Sequence, residues 1–478
     1  MKAYRFEGPI LLMALGVIVY QLFVPPLIGI ADNWDFERLM GQNGIAHVST
    51  DYNDKYFRYF NSRYRIVPIT VPSDDLHAYR SSTSLPMRLA RLLSIAVGQG
   101  EFLDIRFQAA IYTTLLVFGL WLILASTRAL GTGLRIAESA LIVVILTDVG
   151  YVSYFNSFYS EATAFALFIV AIGCCTTLIS QQFSSVLLLI CYFLASGLLV
   201  TSKPQYAPLV LVFAPLGIYI TRHVRLARRY WLAATMAIAL CLVGIWYYNQ
   251  VPNILRLHGA YVEIFMDLLP NSTTPEQDLA DLGLSADYAR FSGTTPYQPD
   301  SPLNNPEIRD SIKARIKSLT IPLFYLRHPR RTYWLCARCV RHAFSTRAPR
   351  SGYYEESSGK PPYSQPFGVW GFIRERIFPR SVVFLAFFLI TGIAAAVLLL
   401  KTSSATIKGL NLLYALFVCI AFAQFFISII AGGGEPDLEK HLFMFNLAFD
   451  ACIVLFVIGI VYSLQTRFRR GSGASRLN

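Results

Sequence analysis

Apolar residues gather along this chain into ten runs, at about 9–30, 104–126, 136–151, 161–180, 185–201, 205–221, 230–248, 381–400, 409–431 and 442–464. A run of about 20 residues is what an α-helix needs to cross a ~30 Å hydrocarbon core. The pattern therefore predicts an all-α polytopic membrane protein of about 10 transmembrane helices. The first run, from Pro9 to about Ile30, is expected to stay in place as an uncleaved signal-anchor. The run at 136–151 is short. The pair 185–201 and 205–221 is parted only by Thr201-Ser202-Lys203-Pro204, where the proline ring removes a helical hydrogen bond, so two half-length segments are the alternative reading there.

Between the runs lie two long polar stretches, 31–103 and 249–380. They divide the chain into an N-terminal transmembrane module (1–248, about seven spans), a long loop (249–380) and a C-terminal module of about three spans with a short tail (381–478). Loops of this length inside a compact protein usually carry function. In the first, Leu85 to Val97 sets an apolar face against Arg88 and Arg91. It is too short to span and amphipathic, so it predicts a helix lying in the membrane interface. In the second, Ile312 to Phe344 has similar character, divided by Pro322 and Pro329. A short helix is expected near Pro275–Gly283, and the tract 346–368 is expected to be flexible or extended.

Charge orients these segments. The 478 residues are 54% hydrophobic and 15% charged, with a formal net charge of +13. One face of the predicted topology carries Lys2, Arg5, Arg128, Arg135, Arg222, Arg225, Arg228, Arg229, Lys401, Lys408, Arg467, Arg469, Arg470 and Arg476 against only Glu7 and Glu138, a net +12 that leaves +1 for everything else. Lys and Arg in short loops mark the cytoplasmic side. Both termini are thus expected in the cytoplasm, with the two long loops extracytoplasmic. The basicity is a topology signal and no nucleic-acid partner is expected.

Carboxylates fall at three places on the same outer surface. Asp32 and Asp35 follow the first run; on a helix they would sit at i and i+3 and share a face. Either could act as general base on an acceptor hydroxyl, or Asp32 could simply cap a helix Trp34–Met40. Glu161 opens an otherwise apolar helix beside Asn156, and the aromatics Tyr151, Tyr154, Phe155, Phe158 and Tyr159 around them suit a sugar as well as they suit a bilayer interface. Glu435, Asp437 and His441 open the last run after three glycines, where sugar hydroxyls or a divalent cation would fit, or where the chain is a solvated hinge. Deeper in that run Asp450 and Asn446 share a face, as a functional pair or as a fastening between helices. The outer cations Lys203, Arg327, Arg330 and Arg331, with His328, could meet a phosphate on a lipid or anchor at headgroups. Cys336 and Cys339 with His342 lack the fourth ligand of a structural zinc site, and the eight cysteines do not assign a redox compartment. No metal site is expected, and the cofactor is left unknown, a divalent cation being the one candidate.

With Asp32 and Asp35 at the outer end of the first span, the interfacial stretch Leu85–Val97 and Glu161 at the next outer turn, the chain resembles the GT-C superfamily of integral-membrane glycosyltransferases. The stretch from Asp32 to Arg38 is also similar to bacterial hexose transferases of the S-layer glycan type. The resemblance implies a polyprenyl-phosphate-linked sugar donor, an extracytoplasmic glycan, lipid or protein acceptor, a bacterial inner membrane location and a first-loop acid as base or metal ligand. Asp32 and Asp35 are the catalytic candidates. Asn156, Glu161, Lys203, Arg327, His328, Arg330, Arg331, Glu435, Asp437 and His441 are the substrate-binding ones. This chain departs from the superfamily's adjacent first-loop acids, since its two lie three apart. An O-antigen-type polymerase or ligase, and a lipid or sugar transporter, are the competing readings; the transporter would be favoured by repeated halves and midplane charges, which the apolar pattern does not show.

Overall fold

The computed structural model describes residues 7–70, 79–128, 130–180, 185–223, 230–364, 366–401, 405–432 and 437–474. Each of the ten apolar runs contains a helix. Among the described residues, six helices are long and apolar enough to cross a membrane: Arg106–Ser126, Ser160–Ile179, Pro204–Arg222, Tyr230–Asn249, Lys408–Gly432 and Phe443–Gln465. The number rises to eight if two bent pairs each count once, Thr132–Leu146 with Val149–Asn156 (53°) and Val369–Ile377 with Val382–Leu398 (104°). Glu7–Phe23 and Val186–Val200 are apolar but shorter. The chain is therefore a helical integral membrane protein, with six to eight spans among the described residues by length and composition alone.

The first helix ends at Phe23, seven residues before the apolar run does. Pro25 and Pro26 follow, and a proline disfavours helical backbone at the residue before it as well as removing its own donor. Residues 27–31 continue as buried extended chain, with Leu27, Ile28, Ile30 and Ala31 all in the core. This carries Asp32 away from the helix axis.

Ser160–Ile179 is the central post, with nearly all of its apolar length covered by other helices. It packs on Arg106–Ser126 through two facing glycines. A Cβ on Gly119 would lie 2.8 Å from the backbone of Ile169 and Val170, and one on Gly173 would lie 2.6 Å from the Gly119 carbonyl. Small residues let helix backbones approach closely where lipid offers no hydrophobic drive to association.

The first loop holds a three-stranded antiparallel sheet, an addition to the all-α expectation. Strand β1 (Ile45–Ala46) pairs with β2 (Arg63–Ile66), which pairs with β3 (Phe102–Asp104), with Ile45 opposite Ile66 and Tyr64 opposite Leu103. A helix forms over Ser84–Ala96, where the amphipathic stretch Leu85–Val97 predicts one. It buries Met87, Ala90 and Ser94 and turns Leu85, Leu89, Leu92 and Leu93 outward. An outward leucine stripe suits a lipid surface.

In the second loop the short helix forms at Pro275–Asp281, and the stretch before Phe344 divides into Pro306–Arg315, Thr320–Arg327 and Pro329–Cys339. Within the tract 346–368, residues 351–355 run extended and docked, and Glu356–Ser358 form a 3-10 turn. Gly29 and Ala31 donate to the carbonyls of Tyr353 and Gly352, and Gly352 and Phe60 pair with Phe57 and Tyr354. A Cβ at Gly352 would lie 1.8 Å from the Arg58 carbonyl, so only glycine fits. This tract backs the extended chain that leads into Asp32.

Candidate functional site

Asp32 and Asp35 do not lie on one helix face. The chain is turned rather than helical through residues 34–36, the helix running only over Glu37–Met40, and the two side chains have separate surroundings. Asp32 is buried; its Oδ1 accepts from the Phe36 N–H at 3.1 Å and its Oδ2 faces His47 Nε2 at 3.2 Å. The capping role is thus realised in part. His47 reaches Asp32 because it directly follows β1, with Tyr64 of β2 packed beside it. Burial pushes the Asp32 carboxyl above the usual carboxylate range, against the opposing hydrogen bonds from His47 and the Phe36 N–H.

Asp35 keeps an exposed edge, with 22% of its side chain accessible, and is held by cations. Arg38 lies 2.9 Å away, and the Lys440 ammonium donates to Oδ2. Burial alone would raise this carboxyl; the charges of Arg38 and Lys440, with Lys203 farther off, outweigh it and hold Asp35 far below the usual carboxylate range. Lys440 is itself buried and also meets Asp437 Oδ2 at 2.6 Å. Burial disfavours its charge, but Asp35, Asp437 and Glu161 prevail and keep it firmly protonated. Asn33 ties the two segments together, donating to Asp437 at 2.7 Å and accepting from the Tyr159 hydroxyl at 2.8 Å.

Glu161, in the first turn of Ser160–Ile179, is buried and pairs with Lys203 Nζ at 2.7 Å. His441 sits 3.9 Å from Asp437 and 3.3 Å from Gln205 Oε1. Burial and the neighbouring Lys203 and Lys440 hold His441 well below the ordinary imidazole value, so it is neutral at pH 7. Asp32, Asp35, Glu161, Lys203, Asp437 and His441 therefore lie in one neighbourhood, on segments more than four hundred residues apart. Lys440, Arg38, His47, Asn33 and Gln205 complete the group. Lys440 and Arg38 were legible as charges flanking the acids, whereas His47, fifteen residues past Asp32, left no signal.

Other expected residues take different places. The Asn156 amide donates to the carbonyls of Leu22 and Ile28, clamping the extended chain that follows the first helix. The aromatics around it, Tyr151, Tyr154, Phe155, Phe158 and Tyr159, are all buried. They pack the core and offer no ring face to a sugar. Arg331 is spent on Asp278 (3.0 Å), Ser272 and Thr274, and His328 faces Asp281 at 3.5 Å and stacks on Phe324. Arg327 and Arg330 are exposed. Among the described residues, no hydrogen bond or ion pair joins these four to the acid–base group. Glu435 lies outside the described residues. Among those described, no group of three or more His, Cys, Asp or Glu is arranged to hold a metal ion; between Asp35 and Asp437 the positive charge is the Lys440 ammonium. Cys336 and Cys339 are free and buried.

A second ionic network lies deeper. Arg374, fully buried in Val369–Ile377, meets Asp450 at 3.1 Å and Asn446 Oδ1 at 2.6 Å. Asp450 Oδ2 also accepts from the Tyr151 hydroxyl and from Trp370 Nε1. The backbone N–H groups of Trp370 and Gly371 donate to Asp148, so a carboxylate faces the start of that helix. Asp450 and Asn446 thus fasten three helices.

No curated protein and no solved structure matches the chain. The model of one protein family, described as the YfdI N-terminal transmembrane domain, matches residues 5–476, nearly the whole length. The chain belongs to the YfdI N-terminal transmembrane domain family.

Proposed function

We propose that this chain is a GT-C-type glycosyltransferase that moves a sugar from a polyprenyl-phosphate-linked donor to an acceptor outside the cytoplasm. The observation that carries the reading is the group formed by Asp35, Arg38, Lys440, Asp437, Glu161 and Lys203 at the ends of apolar helices. It joins a partly accessible carboxylate to cations that a phosphate could claim. In this reading about ten helical segments cross or enter a bacterial inner membrane, the termini lie in the cytoplasm, and loops 31–103 and 249–380 lie outside. The leucine stripe of Ser84–Ala96 rests on the outer leaflet.

The donor is a phosphodiester with one negative charge. As its phosphate draws Lys203 and Lys440 toward itself, Asp35 loses partners that depress its proton affinity and becomes a better base. It takes the proton of the acceptor hydroxyl while that oxygen attacks the anomeric carbon. The bond from the anomeric carbon to the phosphate oxygen breaks and the lipid monophosphate leaves with the electron pair. Positioning both reactants on one surface supplies much of the rate. Asp32, buried against His47, holds the turn that presents Asp35.

The test uses the purified protein in nanodiscs with a radiolabelled short-chain prenyl-phosphate hexose and an extract of envelope glycans. Label should pass to the polar fraction with stoichiometric release of prenyl phosphate. Movement of intact donor across proteoliposomes without cleavage would sink this reading in favour of transport. Reporter fusions after Arg228 and after Asn305 should report opposite compartments.

A further inference from the structure

Outside the acid–base group, the first loop presents an exposed aromatic shelf. The Trp34 indole lies flat on the Tyr56 ring, with centroids 4.5 Å apart and planes within 5°, and Tyr52 closes one side at 5.6 Å. Tyr56 is buried, while Trp34 and Tyr52 stay 47% and 49% exposed. Trp34 adopts φ +83°, a left-handed conformation that a bulky L-residue rarely takes. Strain of this kind persists where the surroundings over-determine it, often at a ligand site. Here the turn places the indole between Asp32 and Asp35 in the chain, facing outward.

The shelf's surroundings argue against a lipid anchor. The helix Tyr52–Lys55 and its flanks are polar and open to water, with Asp51 capping it and Asp54 bonded to Ser49. The Tyr56 hydroxyl donates to Glu37, whose carboxylate lies 3.5 Å from Lys55. An aromatic face rimmed by charged hydrogen-bonding groups matches a pyranose, whose C–H face carries slight positive charge and whose hydroxyls lie at the edge. The negative face of an aromatic ring attracts the first, and Glu37 and Lys55 can bond the second. His47, edge-on to Tyr56 at 5.5 Å, connects the shelf to Asp32.

We infer that Trp34, Tyr52 and Tyr56, with Glu37 and Lys55, form a binding subsite for a hexose unit of a glycan acceptor, immediately beside the carboxylates. The choice of a sugar as the ligand rests on the glycosyl-transfer reading; the subsite itself rests on the stacked, exposed and polar-rimmed rings. It narrows the acceptor from glycan, lipid or protein to a glycan.

Saturation-transfer NMR on the nanodisc-embedded protein tests this with a panel of free hexoses and hexose di- to tetrasaccharides as probes. At least one oligosaccharide should bind the natural chain. Trp34→Ala should weaken it about tenfold, and Tyr52→Ala should weaken it less. Trp34→Phe, which keeps a ring, should recover most of the affinity. Unchanged thermal unfolding of Tyr52→Ala and Trp34→Phe guards against loss of fold. If no saccharide binds, or if binding is the same in Trp34→Ala, the subsite is overturned. Trp34-dependent binding without any donor cleavage would keep the subsite and remove the transferase. Donor cleavage with saccharide binding indifferent to Trp34 would do the reverse.

Discussion

Two ionic networks lie at the junctions of this protein's helices, and they are built differently. Around Asp450 the carboxylate is enclosed: Arg374, the Tyr151 hydroxyl and the Trp370 indole N–H all converge on one oxygen, and the Arg374 and Asp450 side chains have 0% and 1% exposure. Around Asp35 the partners are mainly the ammonium and guanidinium ends of Lys440 and Arg38, and an edge is open. The enclosed network has donors of fixed geometry and no room for a competitor. The open one has cations on long side chains that an incoming anion can redirect. One is a closed fastening and the other is open to its surroundings, although both consist of an aspartate facing a cation.

The strongest way to break this contrast is Asp35→Asn. It should lower turnover ~10²–10⁴-fold, the usual effect of losing a general base, with donor binding and thermal unfolding near those of the natural chain. Normal turnover would make the open network as structural as the enclosed one. Next comes Arg374→Leu, which leaves Asp450 buried and uncompensated. Stability should fall by about 3–5 kcal/mol, and Arg374→Leu combined with Asp450→Leu should recover much of it; urea or thermal unfolding in detergent measures both. A smaller effect is expected at Lys203. Lys203→Ala alone would strand the buried Glu161, so the informative variant is Lys203→Gln with Glu161→Gln. It should keep the fold and weaken prenyl-phosphate binding about tenfold, as for one lost charge contact; equal affinity would place the phosphate elsewhere.

The smallest effect concerns how the second loop is tied to the open network. His342 Nδ1 lies 2.8 Å from Glu439, beside Lys440. The hydrogen bond to Glu439 outweighs partial burial and raises the His342 pKa above its usual 6.5. A raised histidine pKa means stability that is fully present below pH 6.5 and lost as pH climbs through the folded value. His342 is half exposed although Glu439 is largely buried, so solvent discounts the pair. The melting-temperature difference between the natural chain and His342→Gln should be small at pH 6 and smaller still by pH 9. A difference that grows with pH would contradict this pairing.

Much of the open network was legible before its geometry was known. Asp32, Asp35, Glu161, Lys203 and Asp437 stand out because each is an ionisable group at the end of an apolar run, and the run fixes its depth. Arg331 is a phosphate-binding candidate in the sequence on its charge alone, yet it is spent on Asp278, because a charge does not name its partner. The aromatics near Asn156 and the one at Trp34 look alike as letters. The first set is buried by neighbouring helices and the second is turned outward by a left-handed backbone.

The sequence by itself determined where helices form in this protein and which polar groups lie at their ends, since transfer from water to lipid is decided residue by residue along the chain. Only the tertiary structure decided that Lys440 reaches Asp35, that His47 reaches Asp32, and that Arg374 closes on Asp450. Those contacts join segments that are distant in sequence or turned by a loop. Their energy depends on the distance, orientation and shared exclusion of water that appear once the helices pack.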